Sequence, residues 1–488
     1  MPVISAAIDP VTRIEGHLKV EVDIDTVNGV QQVVDARSVG TLFRGFEKIL
    51  EGRDPRDAPI ITSRICGVCP TAHAKAAVLM LDAALAAPPP AAGRLLRNLV
   101  HGACFLESDI LHFYLLCLPD FINGPAMAPW QPAWDVGRRL DQRTADQFLG
   151  HYLQAVSMRR LAHEMGAIYG GKLPHTPAFI PGGFTAIPDA TTKASFAVYL
   201  QQLLDFIRGV YIPDVELLAS LHDDYLSIGR GYGNLLSFGT FRLSDADPTA
   251  KLLRAGRVAS GSPAVQPVDI AQVSEHVAYS WYEDRTNNKP PSAGETEPIN
   301  PKGDAYSWLK APRYGGVNYE VGPLARMTVN GDYANGVSVM DRHLARAHEA
   351  QKIAEAMQGW LNDLPAGQVP VPPLTWSDTT AAGLTEAPRG ALGHWLEVAN
   401  RKIRRYQVVT PTCWNCSPRD TAGNRGPMEQ GLIGTPVARV DQPIEVLRVI
   451  HSFDPCLDCA THVMRPGGKT EVIVHAQAGS RQVRRAEA

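Results

Sequence analysis

Apolar and polar residues alternate strictly through Leu18-Lys19-Val20-Glu21-Val22-Asp23-Ile24, the period-two pattern of a strand with one buried face. Asn28-Gly29 interrupts the run and residues 30–34 resume it. An Asn-Gly pair supplies the left-handed conformations a tight turn needs, so the segment predicts a hairpin, with Glu15 and His17 on a strand or turn just ahead of it. The period then lengthens. An Ala/Leu-rich run over 72–87 predicts a helix stopped by Pro88-Pro89-Pro90, whose rings and missing N–H groups cannot continue one. Helical spacing recurs at about 92–117, 144–168 and 190–222, lengths that suit a packed bundle.

From about 226 to 325 periodicity fades and Gly, Pro and Asn gather, notably at Asn287-Asn288-Lys289-Pro290-Pro291. That composition predicts a peripheral strand-and-loop insertion carrying none of the chemistry. A further helix is predicted over about 337–363, ended by the prolines of 365–373. Residues 395–409 read as a strand with some helical character, and 444–450 as a helix ending near Asp454-Pro455. No internal repeat, Gly-rich phosphate loop or dinucleotide fingerprint occurs. The expected fold class is α+β, mainly α, with a central long-helix bundle and small peripheral sheets.

Composition narrows the function. A chain of 488 residues has room for two or three average domains, but nothing in it reads as a linker, so one large unit is expected. Hydrophobic residues make up 45% with mean hydropathy -0.12, and no uninterrupted apolar stretch approaches the roughly 20 residues of a membrane helix. Lys+Arg 47 against Asp+Glu 50 gives a formal net charge of -3, which argues against nucleic acid and strongly charged substrates and suits a small neutral one. The opening Met1-Pro2-Val3-Ile4-Ser5 lacks the basic and apolar regions of a secretory signal, so export would be directed by a partner. Cys 8 in so long a chain is too few for a disulfide framework.

Those cysteines are placed for metal chemistry. Cys66-Gly67-Val68-Cys69, with His73, lies near one end of the chain, and Cys456-Leu457-Asp458-Cys459, with His462, near the other. A lone Cys-x-x-Cys also serves as a zinc knuckle, a redox dithiol or core packing. Two such pairs can close four thiolates around one soft ion, since each two-residue spacer lets both sulfurs face it. Cys66 and Cys69 fall at a predicted helix start, where unpaired N–H groups favour thiolate.

The pairs sit in longer signatures. Arg13-Ile14-Glu15-Gly16-His17, Phe43-Arg44-Gly45-Phe46-Glu47, Arg64-Ile65-Cys66-Gly67-Val68-Cys69, Ser417-Pro418-Arg419-Asp420 and Asp454-Pro455-Cys456-Leu457-Asp458-Cys459-Ala460-Thr461-His462 follow in order. Together they resemble the large subunit of nickel-iron hydrogenases over essentially the whole chain. Arg-Ile-Glu-Gly-His and Gly52-Arg53-Asp54-Pro55-Arg56-Asp57 look most like the membrane-associated respiratory uptake group.

The resemblance implies that Cys66 and Cys456 bind nickel terminally. It implies that Cys69 and Cys459 bridge nickel to an iron carrying carbon monoxide and cyanide ligands. Cys456 stands where some relatives carry selenocysteine. His73 would hydrogen-bond a bridging thiolate, Arg419 would overhang the metals, Asp454 would pair with that region, and Glu15 would relay protons. Glu47, His462 and the backbone carbonyl at about Val408 would hold magnesium or iron(II). Taken singly, Pro-Arg-Asp is a surface turn, His73 a capping or core histidine, Asp454 a turn cap and Glu15 a solvated strand residue. The implied reaction is reversible oxidation of H2 to protons and electrons, in the uptake direction. Too few cysteines remain for an electron relay, so electrons would leave through an iron-sulfur small subunit, with a membrane cytochrome b as acceptor. A maturation endopeptidase and nickel-insertion factors are also implied, as is a place on the periplasmic face of the cytoplasmic membrane, the alternative being cytoplasmic. The large-subunit domain would span 1–462, and 463–488 would be removed after His462. The competing readings are a hydrogen-sensing subunit of like architecture and a non-redox zinc-binding structural module.

Two positions depart from the family pattern. Ser108 stands where an aspartate is usual, leaving Asp109 to substitute or the acid to be absent. Cys413-Trp414-Asn415-Cys416 adds a third pair with no matching ligands, which favours packed thiols over a disulfide or redox pair. Cys104 and Cys117 lie in apolar sequence and read as buried structural thiols.

Overall fold

The computed structural model describes residues 3–131, 133–137 and 139–457. Its centre is a helical bundle. Helix Ala91–Ile110 packs against Gln142–Gly170 and Val339–Asp363, and Ala190–Phe206 packs on both of these. Leu96, Leu99, Ala103 and Leu106 of the first helix and Ala350, Ile353, Ala354 and Met357 of the last are buried in one continuous core. Two helices are extended by π-turns, Leu111–Cys117 and Ile207–Tyr211. The first gives a continuous Ala91–Asp120 segment long and apolar enough to cross a membrane, where the sequence suggested no such stretch; 89% of its apolar window is buried, so it is a core helix.

The predicted hairpin forms as Leu18–Val27 and Val30–Gly40, with Ile4–Ile8 added at the edge. Asn28 and Gly29 turn it with φ 52 and 83, both left-handed as the right-handed twist of the strands requires. Residues 395–409, read as one strand, are parts of two. Gly390–Ala399 and Lys402–Val409 pair antiparallel about Asn400 and Arg401, again with positive φ. The third strand of this meander, Thr379–Ala387, gave no alternation because its end toward the site is buried on helix Pro70–Ala84. A Cβ on Gly383 would stand 2.1 Å from the Ala76 carbonyl, so that contact requires glycine.

The stretch 226–325 is not peripheral. Its elements are short, yet buried ion pairs tie them in: Arg313 holds Asp420 at 3.0 Å, and Glu320 holds Arg342 at 2.7 Å. The Phe238 N–H also donates to Glu386 at 2.6 Å. Gly, Pro and Asn mark irregular backbone correctly, but irregular backbone can be fixed in the interior when side chains satisfy it.

Candidate metal centre

Cys66 ends the short turn Ser63–Ile65 in extended conformation, and Cys69 is the N-cap of helix Pro70–Ala84. The N–H groups of Val68 and Cys69 point at Cys66 Sγ, 3.3 and 3.0 Å away. From the other end of the chain Cys456 Sγ comes within 3.4 Å of Cys66 Sγ, and Cys69 Sγ lies 3.0 Å from it. Sulfurs bound about 2.3 Å from one ion stand roughly 3.3–3.8 Å apart. The Cys66–Cys456 spacing falls in that range and the Cys66–Cys69 spacing is slightly shorter, so the three buried thiols are gathered closely enough to share one soft transition metal. Cys459 and His462 lie outside the described residues.

Glu15 joins the two cysteine segments. Its backbone forms a parallel bridge with Cys456 and accepts the Leu457 N–H at 2.7 Å, while its Oε1 accepts the Gly67 N–H at 3.1 Å. A Cβ on Gly67 would meet that oxygen at 2.5 Å, so a larger residue there would displace the Glu15 carboxylate. Thr412 Oγ1 accepts the Cys456 N–H at 3.0 Å.

His73 is buried one turn into the helix. Its Nδ1 lies 3.2 Å from His394 Nε2, and His394 Nδ1 lies 2.7 Å from the Tyr406 hydroxyl. Burial, opposed in part by Cys66, lowers the His73 pKa to about 4, so the ring is neutral. His73 Nε2 has no hydrogen-bond partner among the described residues, so the implied bond to a thiolate is not made there.

Arg419 does not overhang the cysteines. Its guanidinium pairs with Asp35 at 2.5 Å, and its N–H donates to the Tyr306 hydroxyl at 2.9 Å. Asp420 is taken by Arg313, so Ser-Pro-Arg-Asp is a loop held by its own ion pairs. The arginine at the site is Arg389, which sequence reasoning missed. It occupies the Pro388-Arg389 tip between Thr379–Ala387 and Gly390–Ala399, and its side chain is 2% exposed. Arg389 Nε donates to Asp454 Oδ1 at 2.9 Å, and Nη1 and Nη2 have no partner among the described residues. Burial opposes the charge, but Asp454 and then the sulfurs of Cys456, Cys69 and Cys66 hold its pKa well above the ordinary value. Arg326 fixes the tip from beneath, donating to the Ala387 and Pro388 carbonyls at 2.9 and 2.7 Å and held by Glu349 and Glu386. The available signal was Pro-Arg-Gly between two apolar runs.

Asp454, expected beside Arg419, pairs instead with Arg389 and, at 3.7 Å, with Arg346. Its φ of 53 places it in the left-handed turn before Pro455. Arg346 also reaches Asp109, 3.8 Å away. Ser108 is buried with no hydroxyl partner among the described residues, and Asp109 is the residue of this pair that brings a carboxyl to Arg346. Burial and then Glu349 raise the Asp109 pKa well above the usual carboxylate range, against Arg346.

Around Glu47, Oε1 accepts the Val408 N–H at 2.9 Å, and Oε2 accepts from Thr296 Oγ1 and stands 3.5 Å from Lys310 Nζ. Val408 thus reaches Glu47 through its N–H. A cavity of about 30 Å³ opens beside these groups. Burial works against the Lys310 charge, but Glu275 and Glu47 overcome it and keep the ammonium protonated. Thr296, Glu275 and Lys310 all come from the 226–325 stretch, which therefore packs against Glu47. Cys413 and Cys416 are buried thiols, near Thr410 Oγ1 at 3.3 Å and Met428 Sδ at 3.7 Å, and Cys104 is packed among apolar neighbours.

The family model for nickel-dependent hydrogenase matches residues 44–135, 134–338 and 329–462, and a HoxL-like model matches 6–35. The chain is 38% identical to the periplasmic NiFeSe hydrogenase large subunit of Desulfomicrobium baculatum, over 97% of each chain. It is 33% identical to the uptake hydrogenase large subunit of Azotobacter chroococcum mcd 1, over 95% of this chain and 96% of that one. The reduced Ni-Fe-Se hydrogenase of D. vulgaris Hildenborough superposes with TM-score 0.91 at 42% identity, covering 94% of this chain and all of that one.

Proposed function

The chain belongs to the nickel-dependent hydrogenase family as a catalytic large subunit, and from that premise we propose how its own residues serve the oxidation of H2. The carrying observation is the convergence of Cys66, Cys69 and Cys456 from opposite ends of the chain near Arg389, whose Nη groups have no partner among the described residues. Cys66, Cys69, Cys456 and Cys459 would hold the nickel, with Cys69 and Cys459 also serving an iron that carries carbon monoxide and cyanide. Position 456 carries sulfur. When bound, this group supplies a soft, redox-active centre that polarises H2, a molecule with no charge or polar handle of its own. Arg389 holds a fixed positive charge and two oriented donors beside it, and Asp454 sets their direction. Glu47, His462 and the Val408 carbonyl would hold a magnesium or iron(II) ion, a role that the hard oxygen of Glu47 supports. Nickel analysis with infrared spectroscopy tests the centre: bands of carbon monoxide and cyanide are expected, and four-cysteine zinc without them would overturn it.

Glu15 takes the proton away from the thiolates, a role supported by its contact with both cysteine segments. Glu15→Gln keeps the hydrogen bonds but cannot relay a proton, so net oxidation should fall about 10²–10⁴-fold with nickel content unchanged. Infrared spectra under H2 should still respond, and unimpaired net turnover would place the relay elsewhere.

Large subunits of this family pair with a small subunit, and no cysteine set for an electron relay remains here, so electrons leave through that iron-sulfur partner. We assign the acceptor beyond it to a membrane cytochrome b. The periplasmic relative supports a periplasmic-side location, which we refine to the membrane face. Maturation requires nickel-insertion factors and an endopeptidase. The family match ends at residue 462, and 479–485 are polar and basic, which supports a removable extension of 463–488. Intact-mass measurement on active, nickel-loaded enzyme should find a chain ending at His462; full activity in a chain ending at Ala488 would refute cleavage.

A further inference from the structure

We propose that His112, Cys117 and His343 form a second buried metal site, built from none of the four family cysteines and suited to a d10 cation, zinc(II) or copper(I). Cys117 is then more than the structural thiol its apolar sequence suggests. In an α-helix, residues five apart point about 140° away from each other. The π-turn Leu111–Cys117 widens the coil and brings them to one side, leaving Cys117 Sγ 3.2 Å from His112 Nε2 and 3.8 Å from Nδ1. His343, from helix Val339–Asp363, completes the group, and one ligand atom of each residue lies within 4.8 Å of the others.

The second observation is what His343 lacks. Both its ring nitrogens are buried, the residue being 1% exposed, and neither has a hydrogen-bond partner among the described residues. Buried polar groups are rarely left so, and a cation between the three side chains would use one of these lone pairs. His112 is already oriented as a ligand would be. Its Nε2–H donates to the His451 carbonyl at 2.7 Å, so Nδ1, 3.8 Å from Cys117 Sγ, is the ring nitrogen left with a lone pair for a cation. Two imidazoles and one thiolate are a soft-to-borderline donor set, with room for a fourth ligand. Binding would release the thiol proton, giving a thiolate bonded to the cation.

Charge limits the choice of ion. Arg346 and Arg342 act on the imidazoles from one helix, and Asp120 and His451 face them from the other side. A thiolate offsets one positive charge, which leaves a copper(I) site neutral and a zinc(II) site at +1. Filled, the site would clamp the π-turn to helix Val339–Asp363 and, through the His451 carbonyl, to the turn that aims Asp454 at Arg389.

The test uses the nickel-loaded enzyme with its small subunit. Crystals measured across the zinc and copper absorption edges, as isolated and after soaking with Zn2+ alone or Cu(I) alone, should show one anomalous peak bonded to Cys117 Sγ. Elemental analysis should give one zinc or copper per chain in wild type and about a tenfold loss in Cys117→Ala and His343→Ala, with nickel unchanged. No peak in any wild-type crystal would overturn the proposal without needing a folded variant. Retention of the full equivalent in Cys117→Ala would overturn it too. Because nickel is counted in the same samples, failure here is distinct from failure of the main centre.

Discussion

Cys456→Ser will remove nickel and H2 oxidation together. The alcohol is a hard donor that stays protonated at neutral pH, where a thiol beside a soft ion ionises and bonds. Loss of partners that only orient a ligand typically costs about 10–100-fold in affinity or activity, so loss of a direct ligand should leave below about one hundredth of wild-type turnover. Folding alone could mimic that result, since position 456 is fully buried. Cys416→Ser is the control. It places the same hydroxyl at an equally buried cysteine of the third Cys-x-x-Cys pair, whose sulfur contacts Met428 rather than thiolates. An unpartnered buried hydroxyl there costs about 1–3 kcal/mol of stability, yet nickel should stay near one per chain. Metal content therefore separates the two. Equal nickel in both variants would remove Cys456 from the centre.

What the sequence made legible is what obeys local rules. The Asn-Gly hairpin, the proline-stopped helix after Cys69 and the long amphipathic helices each follow from a few adjacent residues. The cysteines were legible because metal ligation imposes a spacing. Arg389 was not, because nothing local distinguishes a Pro-Arg-Gly hairpin tip from an exposed turn. Its burial comes from Arg326, Glu349 and Glu386, which are distant or unremarkable in sequence and converge only in the fold. Arg419 misled for the converse reason: a motif-like Pro-Arg-Asp satisfies itself through Asp35 and Arg313. The environment of Cys117 depends on a π-turn, whose one-residue shift of hydrogen-bond partner leaves no trace in a hydrophobic period.

The two arginines can be set against each other. Arg389→Lys keeps a positive charge within reach of Asp454, so it avoids stranding that buried carboxylate, an error that costs about 3–5 kcal/mol in such sites. What it removes is the planar fork. Nε holds Asp454 while Nη1 and Nη2 remain directed elsewhere, and a single ammonium cannot do both. Removing one preorganised donor from an active site typically lowers turnover about 10²–10³-fold. Arg389→Lys should fall in that range with nickel, carbon monoxide and cyanide signals intact, so that the loss lies in the step and not in assembly. Arg419→Lys should do little. Its guanidinium is 22% exposed and shares Asp35 with Arg425, which would keep that carboxylate paired after the change. Partly exposed pairs of this kind contribute about 0–1 kcal/mol, so turnover should stay within about twofold of wild type. The reverse ranking, with Arg419→Lys inactive and Arg389→Lys near normal, would return the overhanging role to the Ser-Pro-Arg-Asp loop and leave Arg389 as a buried strut of the hairpin.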